Sequence, residues 1–152
     1  MKPTPPEWPR ISSALYYDDA RAAIDWLVRA FGFEVKLIVE GDGGRIEHSE
    51  LTFGEGLVMV GEARPDKLEK MPYARSPSQV GGGNTQNMMV YVDDAEAHLA
   101  RAKEAGATIV QPLDTQDYGD DHWADRGYSC RDLGGHHWWF CERLRTKGHP
   151  AA

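Results

Sequence analysis

The spacing of apolar residues predicts an amphipathic helix over residues 20–31. In ARAAIDWLVRAF the apolar side chains recur every three or four residues, which is the period of a helix with one buried face. Asp18 and Asp19 precede this segment, where a short acidic side chain can cap free backbone amides. Gly32 follows it at the position that favours a left-handed residue. The segment therefore has a start signal, an apolar face and a stop signal.

Short apolar stretches around this helix are predicted to be strands, because glycine-rich turns separate them. In the first half of the chain the predicted strands cover 10–17, 33–39, 45–53 and 57–60. The second half contains a second helix, AEAHLARAKEA, which follows a pair of aspartates and ends at Gly106. Its predicted strands cover 85–92, 107–111, 127–131 and 137–142, and a loop covers 112–125.

The two halves repeat one pattern. At an offset of about 75 residues, six residues of the first strand and helix recur: Tyr16, Asp18, Asp19, Ala20, Ala22 and Ala30 match Tyr91, Asp93, Asp94, Ala95, Ala97 and Ala105. Each half reads β-α-β-β-β, and one helix can cover only one face of its sheet. We therefore predict an α+β fold of two tandem βαβββ modules whose curled mixed sheets enclose a cleft.

The domain limits follow from composition. Proline-rich residues 1–9 are predicted to form an extended arm, and residues 10–142 a single domain. Within that domain, module one covers 10–62, a linker covers 63–84 and module two covers 85–142. A tail over 143–152 follows the domain.

Charge and composition exclude several classes of protein. The net charge of -7 disfavours nucleic acid or an anionic membrane as a partner, since both require a basic surface. No apolar run approaches the roughly 18 residues of a membrane span, and none resembles a signal peptide. We expect a cytoplasmic protein in which Cys130 and Cys141 are free thiols.

Four segments together resemble the vicinal-oxygen-chelate superfamily, which is the glyoxalase/bleomycin resistance protein/dioxygenase family. They are YYDDARAAIDWLVRAFGFEV, RIEHSELTFGEG, YVDDAEAHLARAKEAGATIV and DLGGHHWWF. The resemblance extends from about Arg10 to Glu142. It is strongest to an uncharacterised glyoxalase-like subgroup with an HxE strand and a GDxxWADR loop, and it implies the fold predicted above.

The resemblance also implies where a divalent metal would be bound. The four positions fall on Ser12, near Val60 (within one residue), Asn87 and Trp139. These side chains do not form a set of His, Glu or similar donors. We therefore expect no metal or other cofactor at these positions, and a metal site elsewhere stays an open alternative.

The strand over 45–53 places His48 and Glu50 on one face, with Leu51 and Phe53 on the opposite face. If the apolar face packs on the helix, His48 and Glu50 face the cleft. They could then form a hydrogen bond, a general base or part of an unusual metal site. The alternative is a solvated polar strand face.

The loop QDYGDDHWADRGY has three interpretations. It can be a lid, in which Trp123 stacks on a flat ligand and Arg126 pairs with an anion. Asp120, Asp121 and His122 can be metal ligands. The loop can also be structural, with Arg126 paired to a nearby aspartate. We favour the lid or structural interpretation over metal.

Two further strands carry candidate ligand-binding residues. Asn87 and Tyr91 share one strand face, and Asn87 could orient a ligand through its amide. In the closing strand, Trp139 shares a face with His137 and Cys141, and the position of Trp139 implied by the resemblance lines the cleft. His98, in the middle of the second helix, is expected to be solvated.

The motifs of common nucleophilic enzymes are absent from the sequence: it contains no GxSxG, HExxH, CxxC or GxGxxG. We predict a protein that sequesters an aromatic or cationic small molecule without a metal, because the implied metal positions lack suitable ligands. The five aspartates from Asp114 to Asp125 favour a cationic ligand. The alternative is a lyase or isomerase that uses His48 and Glu50. A third possibility is an accessory domain that acts through its dimer surface. The resemblance also leads us to expect a homodimer.

Overall fold

A computed structural model describes residues 1–147 of the chain. They form two compact units that divide after Gly83. The first unit contains β1 (Ser13–Tyr17), α1 (Ala20–Phe31), β2 (Glu34–Glu40), β3 (Ile46–Phe53) and β4 (Gly56–Glu62). The second contains β5 (Met88–Tyr91), α2 (Ala95–Glu104), β6 (Thr108–Asp117), β7 (Ala124–Arg131) and β8 (His137–Arg145).

Helix α1 has the bounds that the sequence predicts. The Asp19 carboxylate accepts a hydrogen bond of 2.9 Å from the backbone amide of Ala22 and so caps the N-terminus. Gly32 ends the helix with φ of 87°, a left-handed conformation that other residues adopt at a cost. The buried face of the helix consists of Ala20, Ala23, Ile24, Trp26, Leu27, Ala30 and Phe31.

The first sheet has the strand order β1-β4-β3-β2. β1 pairs with β4 in parallel, and the other pairs are antiparallel. Alternation along β3 buries Ser49 and Leu51 completely, while His48 lies half-buried on the opposite face. The Ser49 hydroxyl donates a 2.5 Å hydrogen bond to the Val60 carbonyl, so this buried polar group is satisfied.

The second unit repeats this topology, with the strand order β5-β8-β7-β6. Asp94 caps α2 by accepting a 2.9 Å hydrogen bond from the amide of Ala97, as Asp19 caps α1. The core beneath α2 is aromatic: Tyr128, Trp138 and Phe140 have no exposed surface. The internal repeat predicted from sequence is therefore confirmed as a structural repeat of two four-stranded mixed sheets.

His98 belongs to this core, which corrects the expectation that it is solvated. Its ring lies 4.1 Å from the Phe140 ring, centroid to centroid. Its Nδ1 atom lies 2.7 Å from the Tyr128 hydroxyl. Since α2 has few large apolar residues, an imidazole that is hydrogen-bonded inside the unit fills part of the helix–sheet interface.

β6 and β8 are longer than the sequence predicts. Residues 112–117 belong to β6, so the predicted loop over 112–125 shrinks to residues 118–123. A register shift between Gln111 and Asp114 accommodates Pro112, which cannot donate to the strand ladder, and pairing resumes beyond it. β8 continues to Arg145, so the predicted tail begins inside the sheet, and residues 148–152 lie outside the described residues.

The N-terminal arm lies against the first sheet. The Lys36 ammonium group lies 5.5 Å from the centre of the Trp8 ring and donates a 3.0 Å hydrogen bond to the Glu7 carbonyl. Among residues 1–147, neither helix has the length and apolar content that crossing a membrane requires.

Candidate functional site

The second unit contains a cavity of about 670 Å³ on the sheet face turned away from α2. Strand pleating explains which residues reach it, because Trp139, Cys141 and Arg143 alternate along β8 with the buried Trp138 and Phe140. All four strands contribute to the wall. Its lining residues are Asn87, Met89, Tyr91, Gln111, Pro112, Asp114, Gln116, Tyr118, Trp123, Asp125, Gly127, Trp139, Cys141 and Arg143.

Aromatic side chains form much of the cavity wall. Trp123 is 42% exposed and Tyr118 is 55% exposed, and their ring centroids lie 5.5 Å apart. Met89 and Tyr91 are also about half exposed on this face. Large apolar side chains grouped at an exposed concave surface are typical of a site that buries a ligand. Flat aromatic rings favour a planar ligand that can stack on them.

The short turn between β6 and β7 holds Tyr118 and Trp123 at the rim. The Tyr118 amide donates a 3.0 Å hydrogen bond to the Trp123 carbonyl, and the His122 amide donates one of 3.0 Å to the Gly119 carbonyl. The segment is therefore a closed hairpin turn that holds Trp123 at the rim of the cavity.

Arg143 connects the charged and aromatic parts of the cavity. It forms an ion pair with Asp125 and donates to the Tyr91 hydroxyl. The Tyr91 hydroxyl lies 3.3 Å from Asp125 as well, and the guanidinium carbon lies 5.1 Å from the Tyr91 ring centre and 5.6 Å from that of Trp123. The hydrogen bond that Arg143 donates to Asp125 raises the pKa of Arg143, and burial raises the pKa of Tyr91. At neutral pH the Tyr91 hydroxyl is therefore protonated, and it lies between the Arg143 guanidinium and the Asp125 carboxylate.

Asp114 is the second carboxylate of the cavity. Its Oδ1 accepts a 2.8 Å hydrogen bond from the amide of Thr115, and its Oδ2 accepts one of 3.0 Å from the Gln116 side chain. Neither partner is charged. Since Arg143 neutralises Asp125, Asp114 gives the cavity wall an excess of negative charge.

Two side-chain amides on the wall are available to a ligand. Within residues 1–147, the amides of Asn87 and Gln111 have no hydrogen-bond partner in the protein. Each amide has a donor and an acceptor. The cavity can therefore satisfy both kinds of polar group on a bound molecule.

Comparison with known protein families establishes the relationship of this fold to others. The model of the Glyoxalase/Bleomycin resistance protein/Dioxygenase superfamily matches residues 11–140. This chain belongs to that superfamily. The match confirms the resemblance seen in the strand-to-helix segments and in the closing DLGGHHWWF segment.

Relatives of the superfamily cover nearly the whole chain. An uncharacterised protein of Mycobacterium bovis is 33% identical over 130 residues, which are 86% of this chain and 80% of that protein. The crystal structure of TioX from Micromonospora sp. ML1 is 37% identical, with a TM-score of 0.65 over 88% of this chain and 95% of TioX. A superfamily member from Sphaerobacter thermophilus has a TM-score of 0.64 at 20% identity over 86% of this chain and 94% of its own, which shows the common fold.

The strand register locates one superfamily metal position more accurately than the sequence does. Ala14 pairs with Met59 in the first sheet, and the equivalent Met89 pairs with Trp139 in the second. Met59 is therefore the counterpart of Trp139. Val60, the residue taken from the sequence, is 1% exposed and lies one position away on the buried face.

The four superfamily metal positions are thus Ser12, Met59, Asn87 and Trp139. They offer a hydroxyl, a thioether, an amide and an indole, and no carboxylate or imidazole. Such a set does not fit a divalent metal. Within residues 1–147, no three His, Cys, Asp or Glu side chains are grouped so that they could hold a metal ion. Asp120, Asp121 and His122 therefore do not form a metal site in this structure.

His48 and Glu50 lie in the first unit and do not line this cavity. The Nε2 atom of His48 lies 3.0 Å from Oε1 of Glu50, which is the hydrogen bond that their spacing allows. Glu50 is buried, and the Lys36 ammonium lies 3.6 Å from its other oxygen. The three groups form a small cluster of ionisable side chains on β2 and β3.

Arg126 does not line the cavity, where the lid interpretation predicts it to pair with an anion. Its guanidinium donates a 3.0 Å hydrogen bond to Glu96 of α2, on the helix side of the sheet. The cavity instead contains Arg143, which the sequence predicts to lie in the tail. Strand alternation in the sequence could have identified Arg143, because it lies two residues beyond Cys141 on the same face as Trp139.

Both cysteines are free, as the sequence predicts. Burial, with a smaller contribution from Asp132, raises the pKa of the Cys130 thiol to about 12. Burial also raises the pKa of Cys141, the thiol at the cavity wall. Both side chains are therefore thiols at neutral pH and act as small apolar groups.

Proposed function

We propose that this chain binds and sequesters a small planar aromatic compound, without a metal, in the cavity of the second unit. The observation that carries the proposal is the aromatic wall formed by Trp139, Trp123, Tyr118 and Tyr91 around a space of about 670 Å³. That volume lies within the range of small-molecule sites in proteins. The four superfamily metal positions support binding without a metal, because their side chains are poor metal ligands.

The charges of the cavity favour a cationic ligand. Of the five aspartates between Asp114 and Asp125, Asp117 is paired with Arg145 and Asp125 with Arg143. Asp114 faces the cavity with uncharged partners only. A ligand cation beside this carboxylate is stabilised, whereas an anion is repelled.

A matched pair of tricyclic probes tests this proposal. We expect 9-aminoacridine, a planar cation, to bind with 1:1 stoichiometry in isothermal titration calorimetry, and anthracene-9-carboxylate, a planar anion, to bind at least about tenfold more weakly. Trp139→Ala is expected to weaken 9-aminoacridine binding by about tenfold or more, because the stacking surface is lost. Trp139→Phe, which keeps an aromatic ring, is the matched control and should retain most of the affinity.

Two results would contradict the proposal. Equal affinity of the two probes would show that the cavity does not select charge. Unchanged binding in Trp139→Ala would place the ligand elsewhere. Asp114→Asn tests charge selection separately from aromatic stacking. It should reduce the preference for the cation while leaving the aromatic contact intact.

A second candidate function rests on the His48–Glu50 contact. A histidine hydrogen-bonded to a buried carboxylate has the arrangement of a general base, and this favours a lyase or isomerase on a small metabolite. In the binding experiment above, His48→Ala distinguishes the two functions. A sequestering protein retains its affinity in this variant and leaves the probe chemically unchanged, whereas an enzyme of this kind loses turnover of its substrate.

We also propose that the chain forms a homodimer. β2 is an edge strand of the first sheet. Its residues Leu37 and Val39, which pair with Glu50 and His48 of β3, are 42% and 43% exposed. A long apolar edge strand favours pairing with another chain. Light scattering after gel filtration should give twice the chain mass of 17.0 kDa. Leu37→Lys should shift the protein towards the monomer, and a monomeric wild-type protein would refute the proposal.

A further inference from the structure

A second, smaller cavity of about 250 Å³ adjoins the aromatic one in the second unit. Asn87 lines both cavities, so the two meet at this side chain. The smaller cavity differs in chemistry, because its wall contains no large apolar side chain. Its lining residues are Asn84, Thr85, Gln86, Asn87 and His137.

Asn84 builds the wall of the small cavity. Its side chain donates a 2.8 Å hydrogen bond to the Gly135 carbonyl and accepts one of 3.3 Å from the His137 amide. These two bonds attach the segment before β5 to the start of β8. The Asn84 amide is thus already used in these two hydrogen bonds.

Three other polar groups at the small cavity are uncommitted. Within the part of the chain that the structure describes, the Thr85 hydroxyl, the Asn87 amide and the ring nitrogens of His137 have no hydrogen-bond partner in the protein. They offer donors and acceptors, and none of them is an acid. Burial, and secondarily the charge of Arg131, lowers the pKa of His137, so its ring is neutral at neutral pH.

His137 also joins the small cavity to the aromatic wall. It lies two residues before Trp139 on the same face of β8, and the two ring centroids are 6.4 Å apart in an edge-on arrangement. A molecule stacked on Trp139 can therefore extend past Asn87 towards His137 and Thr85. The first part of its path is aromatic, and the second part is polar and uncharged.

From this geometry, and resting on the proposed function, we propose that the site takes a two-part ligand. A planar aromatic group occupies the larger cavity against Trp139. An uncharged hydrogen-bonding arm, with an amide or hydroxyl group, crosses Asn87 and binds Thr85 and His137. The compound class is an aromatic ring system that carries a neutral amide-like chain.

Two acridine probes that differ only in the arm test this inference. One is 9-aminoacridine with a 2-acetamidoethyl arm on the exocyclic nitrogen, and the other carries an alkyl arm of equal length. Fluorescence titration should give about tenfold tighter binding for the acetamide probe, the size expected of one or two hydrogen bonds. In Thr85→Val and in His137→Phe, this advantage should fall to about twofold or less.

The alkyl probe provides the internal control. Its arm forms no hydrogen bond with Thr85 or His137, so the ratio of the acetamide affinity to the alkyl affinity is compared within each variant, and circular dichroism shows that the variants are folded. Equal binding of the two probes to wild-type protein would overturn the two-part ligand and leave the proposed function intact. If neither probe binds, both proposals fail. An acetamide advantage that persists in both variants would place the arm outside the small cavity and overturn the inference.

Discussion

Trp138→Ala is expected to lower the free energy of unfolding by about 3–5 kcal/mol, the range for a large aromatic side chain removed from a core. Trp138 has no exposed surface, and its ring is nearly parallel to that of Phe140 at a centroid distance of 6.1 Å. Its indole nitrogen also donates a 2.9 Å hydrogen bond to Asp132. The variant therefore loses apolar contact and leaves a cavity beneath α2. Urea denaturation followed by circular dichroism measures the change.

The neighbouring residue provides a control for this prediction. Trp139 has the same side chain but lies on the opposite face of β8, at the cavity wall and partly exposed. Trp139→Ala should cost less than about 1.5 kcal/mol of stability while it weakens ligand binding. If the two alanine variants were equally unstable, the assignment of one face to the core and the other to the ligand would be wrong.

Asp132→Ala is expected to lower the free energy of unfolding by about 2–4 kcal/mol, because several donors lose a charged acceptor at once. Asp132 is 5% exposed and follows the end of β7. Its carboxylate accepts 2.9 Å hydrogen bonds from the amides of Gly134 and His136 as well as from Trp138. It thereby fixes the turn that leads into β8. Thermal or urea unfolding of the purified variant tests the prediction.

A double-mutant cycle isolates the bond between Asp132 and Trp138. Trp138→Phe removes the indole nitrogen and keeps an aromatic ring in the core. Combined with Asp132→Ala, it should give a coupling energy of about 0.5–3 kcal/mol, as expected for groups in one hydrogen-bond network. Strictly additive effects would show that the carboxylate stabilises the turn without the indole.

The two faces of β8 connect the stability of the unit to its proposed function. One face places Trp138 and Phe140 in the core, and the other presents Trp139, Cys141 and Arg143 to the cavity. Because the strand is anchored on its core face, the cavity residues are held by the backbone. Under the proposed function, a ligand would meet aromatic and charged groups that are already positioned, which would reduce the ordering cost of binding.

Much of the fold could be predicted from local patterns. The bounds of α1 follow from its cap, its apolar period and Gly32, and the structure reproduces all three. The internal repeat predicted two equivalent sheets, which the structure confirms. These features depend on residues close together in the chain, so a sequence pattern is sufficient to identify them.

The candidate site could be predicted only in part. Asn87, Tyr91, Trp123 and Trp139 were selected from the sequence and do line one cavity. His48 and Glu50 were selected with them but belong to the other unit and form their own cluster. A pattern of alternation identifies which side chains share a face of one strand. It does not identify which strands contribute to the same cavity.

The sequence by itself determined the superfamily, the repeated βαβββ module and the unsuitability of Ser12, Asn87 and Trp139 as metal ligands. Only the tertiary structure decided that Arg143 pairs with Asp125 at the cavity, whereas Arg126 pairs with Glu96 of α2. The physical reason is register. β8 continues to Arg145, and its register with β7 places Arg143 opposite Asp125. Alternation along β8 gives the face of Arg143, but its pairing with Asp125 depends on the register between two strands, which the periodicity of one strand does not record.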